Sequence, residues 1–315
     1  MAEMKYTIQK TIALIITLLV VAFLTFLAFE IIPGDSAEAM LGMDATEEEI
    51  AALREELGLN QPFVVRYVQF IGDALRGDFG TSQQYRMPVN DLLTARLPIT
   101  IGLAVIAFVL MVVISVPIGL FAGRKEGSAI AGGITFLSQF VMAIPPFFLG
   151  MLLTLVFGII LKWFTPGKYV PLSENIWEYI RGMFFPALAL ALPKIAMTVQ
   201  FLRSSVARQK KMDYVRTARS KGNSARRTLT HHILRNALIP VITFLGMAAS
   251  DLLAGSIVIE QVFNLSGVGR LLVVSITNRD FPVVQAIILY IAATVILMNY
   301  LVDMLYHVLD PRVRE

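Results

Sequence analysis

Two aspartates, Asp251 and Asp303, are the residues that could carry chemistry within the apolar parts of this chain. An ionisable side chain at membrane depth indicates a functional site by default. Two aspartates on different spans could form the dyad of an intramembrane aspartyl protease, but neither lies in a recognisable catalytic motif. An intramembrane enzyme is therefore a distant alternative, and its two candidate residues need another explanation.

The sequence gives little support for a metal site or a nucleotide-binding site. His231 and His232 are adjacent, so they cannot face one metal from a helix as an i, i+4 pair would. The chain has no cysteine, which excludes thiolate ligands and cysteine nucleophiles. It contains no G-x-x-x-x-G-K-[ST] loop to hold phosphates, and Gly267 to Arg270 is predicted to be a turn. We therefore expect no metal and no cofactor bound by this chain.

A dense basic segment at about residues 203–235 lies between two apolar runs. Its cations are Arg203, Arg208, Lys210, Lys211, Arg216, Arg219, Lys221, Arg226, Arg227 and Arg235. A segment of this kind stays on the cytoplasmic side of a membrane. The pattern predicts a helix over 212–221, with Asp213 as a possible N-terminal cap and Gly222 as its stop.

That short helix has one small, partly apolar stripe, formed by Tyr214, Thr217, Ala218 and Lys221 at helical spacing. Arg216 and Arg219 are predicted to point elsewhere. A loop that only sets orientation needs charge, but it needs neither a helix nor a stop glycine. We therefore favour a docking element for a cytoplasmic partner over a solvated loop.

The composition is that of a membrane protein. Hydrophobic residues make up 56% of the chain and charged residues only 16%, compared with about 25% charged residues in soluble domains. The formal net charge of +4 would favour nucleic acid in a soluble protein. Here the basic residues lie beside apolar runs, so lipid is the expected partner and nucleic acid is not.

Six spans are predicted, and the first is read as an anchor because it is longer than the apolar region of a signal peptide. The runs are about Thr11–Ile32, Pro98–Ala122, Ala129–Leu161, Phe184–Leu202, Ala237–Ile259 and Phe281–Leu309. Pro145 and Pro146 predict a kink or an early end in the third run, either static or acting as a gating hinge. The positions of the basic loops place both termini in the cytoplasm.

The acidic segment from Pro33 to Leu97 is predicted to be external. Thr46 and Glu49 form a capping box in front of a short helix that ends at Gly58. A second helix is expected after Pro62, and its apolar residues Val65, Val68, Phe70 and Ile71 pack against the spans or against the membrane surface. We divide the chain into residues 1–97, an N-terminal span plus external helices, and residues 98–315, a five-helix core.

The basic segment resembles the cytoplasmic loop motif of ABC importer permeases, written EAA, three residues, G, nine residues, I-x-L-P. Ala218, Gly222 and Leu234 match it, whereas Arg216, Thr217, His232 and Arg235 replace Glu, Ala, Ile and Pro at the same spacing. The variants RTARSKG and HHILRNALIP are similar to the dipeptide/oligopeptide subfamily. Further resemblance to its B-type subunit covers PGDS at 33–36, residues 57–82, residues 260–285 and the carboxyl-terminal LVDMLYHVLDPRVR.

The resemblance implies an all-α polytopic membrane protein with the type I ABC importer permease fold, in the inner membrane of a prokaryotic cell. Its expected partners are a second, homologous permease, two cytoplasmic ATPases that use ATP and Mg, and an external solute-binding protein. The implied substrates are di- or oligopeptides, with nickel chelates, glutathione or oligosaccharides as alternatives. The chain itself would not be an enzyme.

The resemblance also implies roles for particular residues. Asp213 to Gly222 would be the coupling helix, in which Ala218 and Gly222 allow close approach to an ATPase and the cations make polar contacts. The predicted residues of this coupling loop are Asp213, Tyr214, Arg216, Thr217, Ala218, Arg219, Lys221 and Gly222. Asp251, Pro145 and Met142 are predicted to line the translocation path, and Gln261 to Asp280 to form an external re-entrant element.

Overall fold

The computed structural model describes residues 2–31, 41, 45–56 and 58–309, and across these ranges the chain is helical apart from its loops. A single isolated bridge pairs Thr81 with Pro88, and these ranges contain no strand. The all-α expectation is confirmed. The PGDS motif at 33–36 and the tail after Leu309 lie outside the described residues.

Eleven helices are used below. They are α1 (Ala2–Ile31), α2 (Glu47–Glu56), α3 (Phe63–Arg76), α4 (Val89–Arg124), α5 (Ala129–Ala143), α6 (Pro146–Ile160), α7 (Ile176–Gln209), α8 (Asp213–Ser220), α9 (Ala225–Phe263), α10 (Val268–Thr277) and α11 (Phe281–Leu309). The last part of α6, Thr154–Ile160, and the segment Thr228–Ile233 of α9 have the wider π-helical turn.

Five of the described helices are long and apolar enough to cross a membrane, namely α1, α4, α7, α9 and α11. The pair α5 and α6 qualifies together but is bent by 98°, so the number is six if this pair is one broken span. The bend lies at the predicted prolines. Ile144 and Pro145 are both extended, as residues before proline tend to be, and Pro146 starts α6 because its missing N–H is not needed there.

Several helices extend beyond the predicted spans. The predicted starts at Pro98, Phe184 and Ala237 were too late, since α4 begins at Val89, α7 at Ile176 and α9 at Ala225. At 34 residues, α7 is about 50 Å long, whereas the hydrocarbon core is about 30 Å thick. Hydropathy marks where hydrocarbon ends, and the polar ends of these helices continue past that point.

The main core lies between α4, α7 and α9, with α6 packed on α7 and α9. Leu103 and Met111 of α4, Met183 of α7 and Phe263 of α9 are among its fully buried side chains. Close approach of α4 to α7 depends on glycine. A Cβ on Gly123 would lie 2.7 Å from Cβ of Val206.

Helix α1 packs on α11 and is held there by polar contacts. Lys10 Nζ lies 2.6 Å from Asp303 Oδ2, and the hydroxyls of Thr11 and Tyr300 are 3.1 Å apart. Towards the other end of α1, the rings of Phe29 and Phe281 are in contact.

The capping box in front of α2 is confirmed. The Thr46 N–H donates to Glu49 Oε2 at 2.9 Å, and the Glu49 N–H donates to Thr46 Oγ1 at 3.3 Å. The Thr46 hydroxyl also donates to Glu49 Oε2 at 2.9 Å, and this bond and the one from the Thr46 N–H hold the pKa of the Glu49 carboxyl below its usual value. The cap therefore stabilises α2 above the usual carboxyl pKa and is lost as the pH falls through the lowered value.

Replacing Gly123 with alanine is expected to destabilise the protein, because the new methyl group meets Val206 and the Arg203 carbonyl between two packed helices. Overpacking of this kind costs about 1–3 kcal/mol. The measurement is thermal unfolding of the purified chain in detergent, followed by size-exclusion chromatography. Gly133→Ala is the control, because nothing lies within 4 Å of its Cβ position. Equal melting temperatures for the two variants would contradict this account of the α4–α7 contact.

Candidate functional site

Helix α8 is a two-turn helix anchored to the ends of two spans. Its inward residues Val215 and Ala218 are only 1% and 6% exposed. Val215 joins an apolar cluster with Leu202, Val206, Leu229, Ile233, Ala237 and Val241 from α7 and α9. The helix is therefore a packed element of the protein.

The outward face of α8 is basic. Arg216, Arg219 and Lys221 are exposed, as are Thr217 and the neighbouring Met212. Arg216 also lies 3.7 Å from Asp213, with both side chains almost fully in solvent, so this ion pair adds little stability. The cations remain available to another surface.

The predicted stripe on α8 needs correction. Tyr214 is half-buried, with its hydroxyl 2.9 Å from Gln209 Oε1, and Ala218 packs inward, whereas Thr217 and Lys221 face solvent. The sequence prediction missed Val215. The packed face of α8 is formed by Val215 and Ala218, and not by Thr217 and Lys221. Ala218 therefore supports close packing within this chain.

The predicted N-terminal cap of α8 is wrong, whereas its predicted C-terminal stop is correct. Met212 holds the N-cap position and Asp213 is the first helical residue, so Asp213 is not the cap. Gly222 is the stop, as predicted. It has φ +79°, its N–H donates to the Arg219 carbonyl at 2.9 Å, and its Cβ position meets nothing within 4 Å. A side chain there would point into open space beside the basic face.

The histidines lie on the π-helical turn that follows. His231 is exposed, with Nδ1 3.0 Å from the Thr230 hydroxyl, and His232 is half-buried. Among the residues that the structure describes, no three or more His, Cys, Asp or Glu side chains are grouped so as to hold a metal ion.

Asp251 has a partner that the sequence reasoning missed. Its Oδ2 lies 2.5 Å from Nζ of Lys194. This ion pair joins α9 to α7. The Lys194 side chain is 23% exposed and that of Asp251 is 60% exposed. The signal was present, since Lys194 is a cation within the predicted apolar run Phe184–Leu202. Asp303 pairs with Lys10 instead, so the two aspartates do not share a proton as a protease dyad would.

The other predicted path residues lie at the bend. Met142, near the end of α5, and Pro145, between α5 and α6, are both exposed. The hydrogen bond of Asp251 goes to Lys194 on α7 and not to a residue of this bend.

A buried carboxylate holds α10 in place. Glu260 of α9 is fully buried, accepts from Thr100 Oγ1 at 2.7 Å and accepts from the Arg270 N–H at 3.1 Å. Thr100 in turn accepts from the Val268 N–H at 2.9 Å. These bonds satisfy the first N–H groups of α10, and the carboxyl oxygens lie at the end of α10 where acceptors are favourable. A Cβ on Gly267 would lie 2.5 Å from the same carboxylate.

A second buried carboxylate joins distant parts of the chain. Asp280 accepts from Ser82 Oγ at 2.5 Å and from the Gln83 and Gln84 N–H groups at 3.1 and 3.3 Å. The predicted re-entrant region is thereby tied to the segment before α4. At ten residues, α10 is too short to cross a core about 30 Å thick.

The fold and these sites define a multi-pass α-helical membrane protein that presents a basic helix between two of its spans. The family described as binding-protein-dependent transport system inner membrane component matches residues 115–315, and the family for the N-terminal part of such components matches residues 3–104. The chain belongs to this family of inner membrane transport components.

Relatives match almost the whole chain. The probable peptide ABC transporter permease protein y4tP of Sinorhizobium fredii is 35% identical, covering 98% of this chain and 99% of its own. The oligopeptide transport system permease protein AppB of Bacillus subtilis is 37% identical, covering 98% of each. The glutathione transport system permease protein GsiC of Salmonella choleraesuis is 37% identical, covering 99% of each. The resemblance to the dipeptide/oligopeptide permeases is confirmed.

The Lys194–Asp251 ion pair can be tested by exchanging the two charges. Lys194→Asp alone or Asp251→Lys alone leaves like charges facing each other within the spans, so the yield of folded protein should fall. Breaking a fully buried pair costs about 3–5 kcal/mol of folding free energy. Because Asp251 is partly exposed, we expect each single variant to lose less stability than that. The double exchange restores opposite charges and should recover most of the yield in detergent extracts. A double variant no better than the worse single variant would show that the pairing itself is unimportant.

Proposed function

We propose that this chain is one permease subunit of an ATP-driven ABC importer that moves di- or oligopeptides into the cytoplasm. Family membership and near full-length similarity to permeases named for peptide transport support the proposal. The partners would be a second, homologous permease forming a heterodimer, two cytoplasmic ATPases and an external solute-binding protein. ATP and Mg would bind to the ATPases, and this chain would not be an enzyme.

The observation that carries the proposal is the construction of α8. Its buried side, through Val215 and Ala218, is packed on the ends of α7 and α9, and its exposed side presents Arg216, Arg219 and Lys221. An ATPase that binds the basic face and moves would pull on two spans at once. We therefore assign α8 as the coupling helix.

The translocation path is proposed to run along the face that holds Lys194 and Asp251. A carboxylate at membrane depth is costly when it faces hydrocarbon, and Asp251 is 60% exposed although it is paired. This face therefore requires water or a second protein beside it. An aqueous translocation path would supply the water, and the partner permease would supply the second protein. Met142 and Pro145 would line the path at the bend between α5 and α6.

The orientation follows from the proposed docking. If α8 is cytoplasmic, the ends of α7 and α9 beside it are cytoplasmic too, and so is the connection between α4 and α5 with Arg124 and Lys125. Both termini would then lie in the cytoplasm. Residues 1–97 would form an N-terminal span with external helices, and residues 98–315 the five-helix core.

The substrate is tested by uptake into cells that carry the complete transport system. Radiolabelled di- and oligopeptides should accumulate, and deletion of this permease alone should abolish their uptake. Glutathione is the specific rival, because a similar relative is named for glutathione transport. Uptake of glutathione, nickel chelates or oligosaccharides without uptake of peptides would keep the importer and reject the peptide assignment.

Replacing Gly222 with tryptophan should leave membrane insertion intact but uncouple uptake from ATP hydrolysis, because the side chain would project from the end of the docking face. Uptake in vesicles and ATPase activity are measured together. Gly127→Trp is the matched control, since Gly127 also has a left-handed φ, +84°, with nothing within 4 Å of its Cβ position. Both variants carry the same backbone strain of about 1–2 kcal/mol. Equal transport by the two variants would argue against α8 as the coupling contact.

A further inference from the structure

Helix α3 rests on α1 through a cluster of aromatic rings. The rings of Phe63 and Phe70 each lie 5.3 Å from that of Phe26, and the ring of Tyr67 lies 5.5 Å from that of Phe23. Phe63 and Phe70 are about 10 Å apart along α3 and yet meet the same ring of α1, so we infer that α3 crosses α1 and does not run alongside it. Arg66 is also paired with Glu30, in the last turn of α1.

On a helical wheel, the side of α1 that α3 covers lies about 120° from the residues that contact α11. On that side, Ile12, Ile16 and Leu19 are exposed, and they continue at helical spacing to Phe23. The row is apolar and belongs to a helix that is long enough to span, so it faces lipid. Helix α3 therefore lies at the lipid-facing periphery, at the opposite end of α1 from the Lys10–Asp303 pair.

Helix α3 keeps a second apolar stripe, of which three residues are exposed in the described part of the chain and the fourth, Ile71, is half-buried. Val64, Val68 and Leu75 are 67%, 62% and 84% exposed, and Ile71 completes the i, i+4, i+7, i+11 row. On a helical wheel this row adjoins the aromatic row that packs on α1. Gln69, Asp73 and Arg76, all exposed, fall on the other side.

We propose that α3 is an interfacial membrane helix, lying in the plane of the bilayer surface with the stripe Val64, Val68, Ile71 and Leu75 inserted among the lipid chains. The stripe is continuous with the lipid-facing surface of α1, and the crossing with α1 lays α3 along the membrane. Amphipathic helices with a separate polar face take this position, and their apolar face enters the boundary between headgroups and acyl chains. The Arg66–Glu30 pair and the aromatic cluster fix the roll of α3, so the stripe faces the bilayer.

The absence of cysteine from this chain simplifies the test, because each introduced cysteine is the only cysteine of this chain. Val68→Cys and Leu75→Cys report on the stripe, and Gln69→Cys and Arg76→Cys are matched controls on the polar face of the same helix. Each variant is spin-labelled in the full chain, purified with its co-purifying subunits and placed in lipid nanodiscs. Collision rates with oxygen, which concentrates in lipid, and with a water-soluble nickel complex are then measured.

The proposal expects the ratio of oxygen to nickel accessibility to be several-fold higher at positions 68 and 75 than at 69 and 76. Similar, water-like ratios at all four positions would overturn it, because the stripe would then face solvent. Low accessibility to both reagents at 68 and 75 would also overturn it, since a protein subunit would then cover the stripe. The outcome does not depend on the transported substrate.

Discussion

A charge placed among apolar helices must be paired, hydrogen-bonded or in contact with water, and this constraint organises the structure. Lys10 and Asp303 join α1 to α11, and the buried Glu260 joins α9 to α4 and α10. In each case a polar group links helices, and loss of the hydrogen-bond partners of the buried Glu260 would leave its carboxyl group unsatisfied. Lys194 and Asp251 obey the same rule and are likewise partly exposed, and the face of the core that holds them is the one proposed to line the path.

The packing connects the Lys194–Asp251 pair to α8, the proposed coupling helix. Helix α8 is fastened to the ends of α7 and α9, and these two helices hold Lys194 and Asp251 near their middles. Helix α4 is drawn against α7 at Gly119 and Gly123, so it has little freedom to slide independently. Displacement of α8 would therefore reach the ion pair through close-packed helices, while Glu260 keeps α10 attached to the same group.

The sequence predicted much of this arrangement because hydropathy and local chemistry carry it. The apolar runs, the proline break at Pro145 and Pro146, the capping box at Thr46 and the stop at Gly222 all follow from residues near each other in the chain. Helix ends beyond the hydrocarbon were missed, as at Val89 and Ile176, because polar residues continue a helix without an apolar signal.

The long-range contacts could not be predicted in the same way. The roles of Val215, Lys194 and Glu260 depend on partners from other helices, and no local pattern names those partners. Lys194 was a visible anomaly in an apolar run, but its pairing with a residue 57 positions away required the packed structure. The assignments of Met142 and Pro145 remain predictions, since they depend on a surface that a second subunit would complete.

Native mass spectrometry of the intact assembly, purified from membranes in mild detergent through this chain, tests the central claim most directly. The account predicts one copy of this chain with one related permease and two ATPases, and loss of at least one ATPase when Arg216, Arg219 and Lys221 are replaced by glutamate. Recovery of the chain alone, or of an assembly whose ATPases are retained after these replacements, would contradict the assignment of α8 as the coupling helix.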